Sequence, residues 1–63
     1  MNKSYIVDPS YEGIRIDKWI RNNLGKVPQG LIEKSLRAGK IKLNKKKTKS
    51  SIKLRVKDII DVY

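Results

Sequence analysis

Residues 28–44, PQGLIEKSLRAGKIKLN, change their hydrophobic period part-way along. Up to Gly39 the apolar positions Leu31, Ile32, Leu36 and Ala38 recur at helical spacing, whereas beyond it Ile41 and Leu43 alternate with Lys40, Lys42 and Asn44. The first pattern predicts a helix over 28–38, with Pro28 at its first position, where a missing N–H is tolerated. Gly39 is the residue type that ends helices in a left-handed conformation. The second pattern predicts a half-buried strand.

Upstream, Ile16, Trp19, Ile20 and Leu24 trace one face of a helix over 14–24, which Asn22-Asn23-Leu24-Gly25 brings to a close. Tyr5-Ile6-Val7 is a short β-prone run, and Asp8-Pro9-Ser10 suits a type I turn. Downstream, a lysine-rich turn at Asn44–Lys47 leads into Ile52, Leu54 and Val56, which alternate with Lys53, Arg55 and Lys57 and predict a further strand. Asp58 then turns the chain into Ile59-Ile60-Asp61-Val62-Tyr63, a last strand. The expected fold is α+β, with two adjacent helices packed on a small antiparallel sheet. A short strand and turn over 1–11 precede a domain over 12–63. Because Tyr63 closes a strand without a tail, the natural chain is expected to continue.

At 63 residues the chain has room for one modest core and none for a large internal substrate cavity. Sixteen Lys and Arg against six Asp and Glu give a formal net charge of +10. Such an imbalance repels itself in the folded state and is kept for a polyanionic partner, nucleic acid before an anionic membrane. Without cysteine there is no disulfide framework, thiolate nucleophile or cysteine zinc site. No signal core or membrane-length apolar run is present, so a cytoplasmic location is expected. Histidine is absent, the acids are scattered, and no catalytic residue, metal site or cofactor is expected within these residues.

The cations fall into three groups. With Ile16, Trp19 and Ile20 inward, Arg15 and Lys18 share another face of the first helix with Asn22, and Arg21 lies at its edge. On the second helix Lys34 and Arg37 are three apart, and Lys40 extends the charge past its end. Lys45, Lys46, Lys47 and Lys49 come from one loop. A solvated surface explains any one group, but three in succession with Glu33 the one acid among them point to a continuous patch. The second helix also begins with free N–H groups at Gln29, Gly30 and Leu31, a natural place for a phosphate. Gln29 is a candidate for reading a base edge or ribose hydroxyl, against the plainer alternative of a surface side chain. Trp19 lies on the apolar stripe and is assigned to the core. Asp17, among cations, reads as an acid favouring the helix start.

The segments R-I-D-K-W-I at 15–20, A-G-K-I-K-L-N-K-K-K at 38–47 and K-D-I-I-D-V at 57–62 together resemble the S4 RNA-binding domain. Within it, V-P-Q-G-L-I-E-K-S-L-R-A-G at 27–39 is most similar to the N-terminal domains of large-subunit rRNA pseudouridine synthases. The resemblance implies RNA contacts at Arg15, Lys18, Gln29, Lys34, Arg37, Lys40, Asn44 and Lys45, which Lys46 and Lys47 extend. It implies structured RNA, large-subunit ribosomal RNA in particular, as partner; no membrane partner is expected because the apolar faces are needed for the core, and no DNA because strand patterns follow Gly39. Three departures stand out. Pro28-Gln29-Gly30 replaces the common Ser-Arg-Ser, Lys45 the usual hairpin glycine, and Lys57 the glycine before Asp58. The synthases' catalytic aspartate lies in a separate domain, and the residues after Asp17 do not match its motif. The resemblance thus implies a domain that positions RNA for a tethered isomerase. Two other readings stay open, a stand-alone ribosome-associated protein and a helix-turn-helix DNA-binding module.

Overall fold

A computed structural model describes residues 2–63. In chain order it contains β1 (Lys3–Ile6), a 3-10 turn (Pro9–Tyr11), α1 (Ile16–Leu24), α2 (Gln29–Ala38), β2 (Ile41–Leu43) and β3 (Ile59–Val62). The strands form one antiparallel sheet in the order β1-β3-β2, so the last strand is the central one. Tyr5 pairs with Ile60 and Ile60 with Leu43, while Val62 lies between Lys3 and Ile41. By the two-residue period these residues share the face that meets the helices. Ile16, Trp19, Ile20, Ile32, Leu36, Ile41, Leu54, Ile60 and Val7 form the buried core. Two helices on a three-stranded antiparallel sheet are the α+β arrangement expected, and they are consistent with the S4-like fold.

The helices begin later than the periodicity suggests. Arg15 is extended at φ −64° and ψ 144°, and Pro28 is extended at φ −58° and ψ 146°, so each stands just outside its helix. Pro28 therefore serves as the residue before the first turn, where its carbonyl accepts from the Leu31 and Ile32 amides at 3.0 Å each. At the other end, Gly39 adopts φ 78° and ψ 16°, and the Lys40 amide reaches back to the Ser35 carbonyl at 2.9 Å. A Cβ on Gly39 would also meet the Lys47 and Lys42 stems at 3.2 and 3.3 Å. Gly39 thus both ends α2 and lets the hairpin lysines lie against its C-terminus.

The predicted strand over Ile52–Lys57 does not form. This segment pairs instead with the approach to α1, through Gly13 N–H to the Leu54 carbonyl and Leu54 N–H to the Ile14 carbonyl, both 2.8 Å, and Ile16 N–H to the Ile52 carbonyl at 2.9 Å. Leu54 is fully buried by that pairing, while Ile52 and Val56 stay 41% exposed. The Glu12 carboxylate accepts the Val56 amide at 2.6 Å, and Lys57 at φ 74° ends the extended path. An alternating pattern was present, but the covering surface spans only its middle residue.

The turn after β2 is a two-residue hairpin. Asn44 and Lys45 take φ 51° and 69°, and Leu43 and Lys46 exchange hydrogen bonds of 2.9 and 3.0 Å across them. Two successive positive φ values define the turn for which Asn-Gly is the preferred pair. Lys45 therefore occupies a left-handed position without glycine's freedom, and Lys57 does the same before Asp58. Asn44 compensates with its side chain, accepting the Ile59 amide at 2.9 Å and donating to Asp58 at 3.1 Å.

Candidate nucleic-acid interface

Asp17 and Arg21 are four apart on α1 and so face the same neighbour, the first turn of α2. Gln29 lies there and ties the helices together. Its amide donates to Asp17 Oδ2 and to Glu33 Oε2, each at 3.1 Å, and its carbonyl oxygen accepts from the Arg21 guanidinium. Asp17 in turn accepts from Arg15 Nη2 at 3.0 Å and from the Lys18 amide at 2.7 Å. Its burial acts to raise its pKa, but the Gln29 and Arg15 hydrogen bonds, the Lys18 amide and the Arg15 charge together hold it below the ordinary value. Asp17 is thus a buried anion at the base of a cationic rim.

That rim encloses an open groove of about 480 Å³ lined by Ile14, Arg15, Asp17, Lys18, Arg21 and Gln29. Arg15 leans on Asp17 with its side chain 53% exposed, so one side of the guanidinium remains in solvent. Among the described residues, Lys18 and Arg21 have no carboxylate within ion-pair distance. The Gln29 and Gly30 amides open the first turn of α2 beside them, whereas the Leu31 amide is spent on Pro28. A groove in which Lys18 and Arg21 lack carboxylate partners, with a helix N-terminus at one end, is suited to a phosphate.

The remaining predicted contacts divide. Arg37 continues the Gln29–Glu33 row at intervals of four and lines a second groove of about 250 Å³ with Glu33, Leu36, Thr48, Lys49 and Ser50. Lys34 and Lys40 lie apart from it, in a shallow pocket with Leu31, Ser35 and Ala38 on the other flank of α2. Lys46 and Lys47 are exposed beyond the hairpin. Asn44 is occupied with Ile59 and Asp58, and the Lys45 ammonium sits 3.6 Å from the buried Asp61 carboxylate. Lys34 and Arg37, three apart on α2, thus line different surface depressions.

Arg21 and Lys49 belong to the cationic patch read from the sequence but not to the contacts that the resemblance implies, and Thr48 and Ser50 belong to neither. The spacing of Arg21 from Asp17 was visible, but its use depends on where Gln29 crosses α1. The one tryptophan is not free to stack on bases. Trp19 is buried edge-on to Tyr5, with centroids 5.3 Å apart at 74°, and the half-exposed Tyr63 lies under Lys42 Nζ at 5.4 Å. Among the described residues no group of three or more acidic side chains could hold a metal ion. None of their helices is long and apolar enough to cross a membrane.

Comparison with known proteins finds no matching family model and no significant match among solved structures. Curated sequences do match. Ribosomal large subunit pseudouridine synthase C of Vibrio cholerae serotype O1 is 36% identical over 56 residues, covering 89% of this chain and 18% of the relative. The synthase of the same name from Vibrio vulnificus is also 36% identical over 56 residues, with the same coverage. That of Buchnera aphidicola subsp. Acyrthosiphon pisum is 40% identical over 48 residues, covering 76% of this chain and 15% of the relative. The resemblance read from the sequence is therefore borne out, and the chain spans less than one fifth of the length of the curated relatives it matches.

Proposed function

We propose that this chain, similar over most of its length to a segment of ribosomal large subunit pseudouridine synthase C, is an RNA-docking domain that holds structured ribosomal RNA for a tethered isomerase. The observation that carries the reading is the groove at the helix junction, where Lys18 and Arg21 stand without carboxylate partners beside the first turn of α2. Phosphate oxygens satisfy both the cations and the free amides, and a net charge of +10 speeds their encounter. The names of the relatives favour large-subunit ribosomal RNA, and hence a cytoplasmic place of action.

RNA in A form hides its base edges in a deep major groove, so a surface of cations reads backbone shape more than sequence. The domain then contributes position. Holding the RNA raises the effective concentration of the target uridine at a tethered active site, without taking part in the chemistry.

Filter binding to folded large-subunit rRNA fragments tests the reading. The logarithm of affinity should fall with log salt at a slope of about −4 to −6, as expected for several phosphate contacts. The double substitution Lys18→Glu/Arg21→Glu should weaken binding by at least about tenfold, while Lys3→Glu, on β1, should change it little. Duplex DNA binding as tightly as a folded RNA stem, or equal losses in both variants, would contradict the assignment. The 63 residues alone should leave the pseudouridine content of such fragments unchanged.

A further inference from the structure

Resting on the docking reading, we infer that the groove formed by Arg37, Thr48, Lys49 and Ser50 is a second phosphodiester subsite, separate from the one at the helix junction. The residues come from the C-terminal half of α2 and from the loop that follows the hairpin. The loop is tied to the start of α1 and closed by a turn of its own. Ser50 gives its carbonyl to the Asp17 amide at 3.4 Å, and the Lys49 carbonyl accepts from the Ile52 amide at 3.2 Å. Groove walls anchored in this way keep Lys49 opposite Arg37 without an ion pair to either, among the described residues.

The donor set suits a phosphate more than a carboxylate side chain or a base. Arg37 presents a planar fork, Lys49 a point charge, and Thr48 and Ser50 add neutral hydroxyl donors. Gln29 lines the first groove and Arg37 the second, eight residues apart on one helix, which is about 12 Å at 1.5 Å per residue. One phosphate cannot span that distance, so the two grooves hold different phosphates of one RNA. Between them stands Glu33, whose Oε2 accepts from Gln29 and whose side chain also lines the second groove. A carboxylate there opposes an incoming phosphate, so the subsite is held below its full strength by a single side chain.

That opposition gives a test with a gain as well as a loss. Glu33→Gln retains an oxygen for the Gln29 amide and removes the charge, and it should tighten binding of a folded rRNA stem-loop by about threefold. Lys49→Gln should weaken binding by about threefold to tenfold and make the salt slope shallower by about 1, the signature of one lost phosphate contact. Thr48→Val/Ser50→Ala should weaken binding without moving the slope. Circular dichroism and thermal melting of each variant separate these effects from loss of fold. An affinity unchanged or lowered in Glu33→Gln, or a slope unmoved in Lys49→Gln, would overturn the second subsite. If Lys18→Glu/Arg21→Glu still weakens binding by at least about tenfold in that case, the docking reading stands without it. A wild-type chain that does not bind folded ribosomal RNA ends both.

Discussion

Asp17 and Asp61 are the two buried acids of the described chain, 3% and 4% exposed, and their surroundings differ in kind. Asp17 lies where α1 begins and receives three hydrogen bonds, from a guanidinium, an amide side chain and a backbone N–H. Asp61 lies on the sheet face turned away from the helices, beside Ser4 and Lys42 in register. There it accepts the Ser4 hydroxyl at 2.5 Å, while its other oxygen has no hydrogen bond and faces only the Lys45 ammonium at 3.6 Å. The lysine is 79% exposed, so water weakens that attraction. Burial alone thus says little about what a carboxylate does. The Asp17 network joins two helices and shapes a groove, whereas Asp61 fastens a strand edge and a hairpin.

The largest expected difference follows from removing each acid. Asp17→Ala leaves Arg15, Gln29 and the Lys18 amide without their acceptor and should cost about 2 kcal/mol, a fall in melting temperature of about 8–16 °C for a domain of this size. Asp61→Asn keeps an acceptor for Ser4 and loses a screened charge pair, so the change should stay within about 1 kcal/mol. Equal losses by thermal melting would erase the distinction between the two sites.

Acid titration sharpens it further. The folded pKa of Asp17 lies below its ordinary value of 3.8, so the folded state favours the ionised form. That stabilisation is complete above the ordinary value and is lost as pH falls through the lower folded value. Urea midpoints measured from pH 6 down to pH 2 should therefore decline steeply at the acid end in the wild type. The decline should be shallower in Asp17→Asn, and a parallel decline would place the linked proton elsewhere.

The smallest effects concern the two left-handed lysines. Lys57→Gly relieves a conformation that costs an L-residue about 1–2 kcal/mol and incurs glycine's entropy of about 0.5–1 kcal/mol, a net gain of about 0.5 kcal/mol. Lys45→Gly relieves the same strain but takes the cation from Asp61, so its gain in urea midpoint should be smaller. A larger gain at Lys45 would mean that the pair with Asp61 contributes nothing.

Both helices and β2 were legible because one apolar stripe met one covering surface, and β1 and β3 were legible as short β-prone runs. Ile52, Leu54 and Val56 had the strand period too, but a period does not reveal how much of a segment its neighbour covers. The same limit applies to the cations. Arg15, Gln29, Asn44 and Lys45 have residue types suited to RNA, yet each bonds elsewhere in the protein, a matter of helix crossing and hairpin position. Lys49 sat in a lysine run, and only the return of the loop past Asp17 sets it opposite Arg37. The strain at Lys45 and Lys57, by contrast, was foreshadowed in the sequence, since both stand where the resemblance calls for glycine.

The order β1-β3-β2 also governs when this protein can assume its shape during synthesis. The strand that joins the other two is made last, more than fifty residues after β1, and a ribosome adding about 5–20 residues per second takes about 3–11 s to reach it. Through that interval β1 has no partner, and the apolar faces of α1 and α2 have no sheet to cover. Sixteen positive charges keep such a nascent segment apart from its own copies, so the feature that suits the finished domain to an anion also guards it while it waits for Ile60.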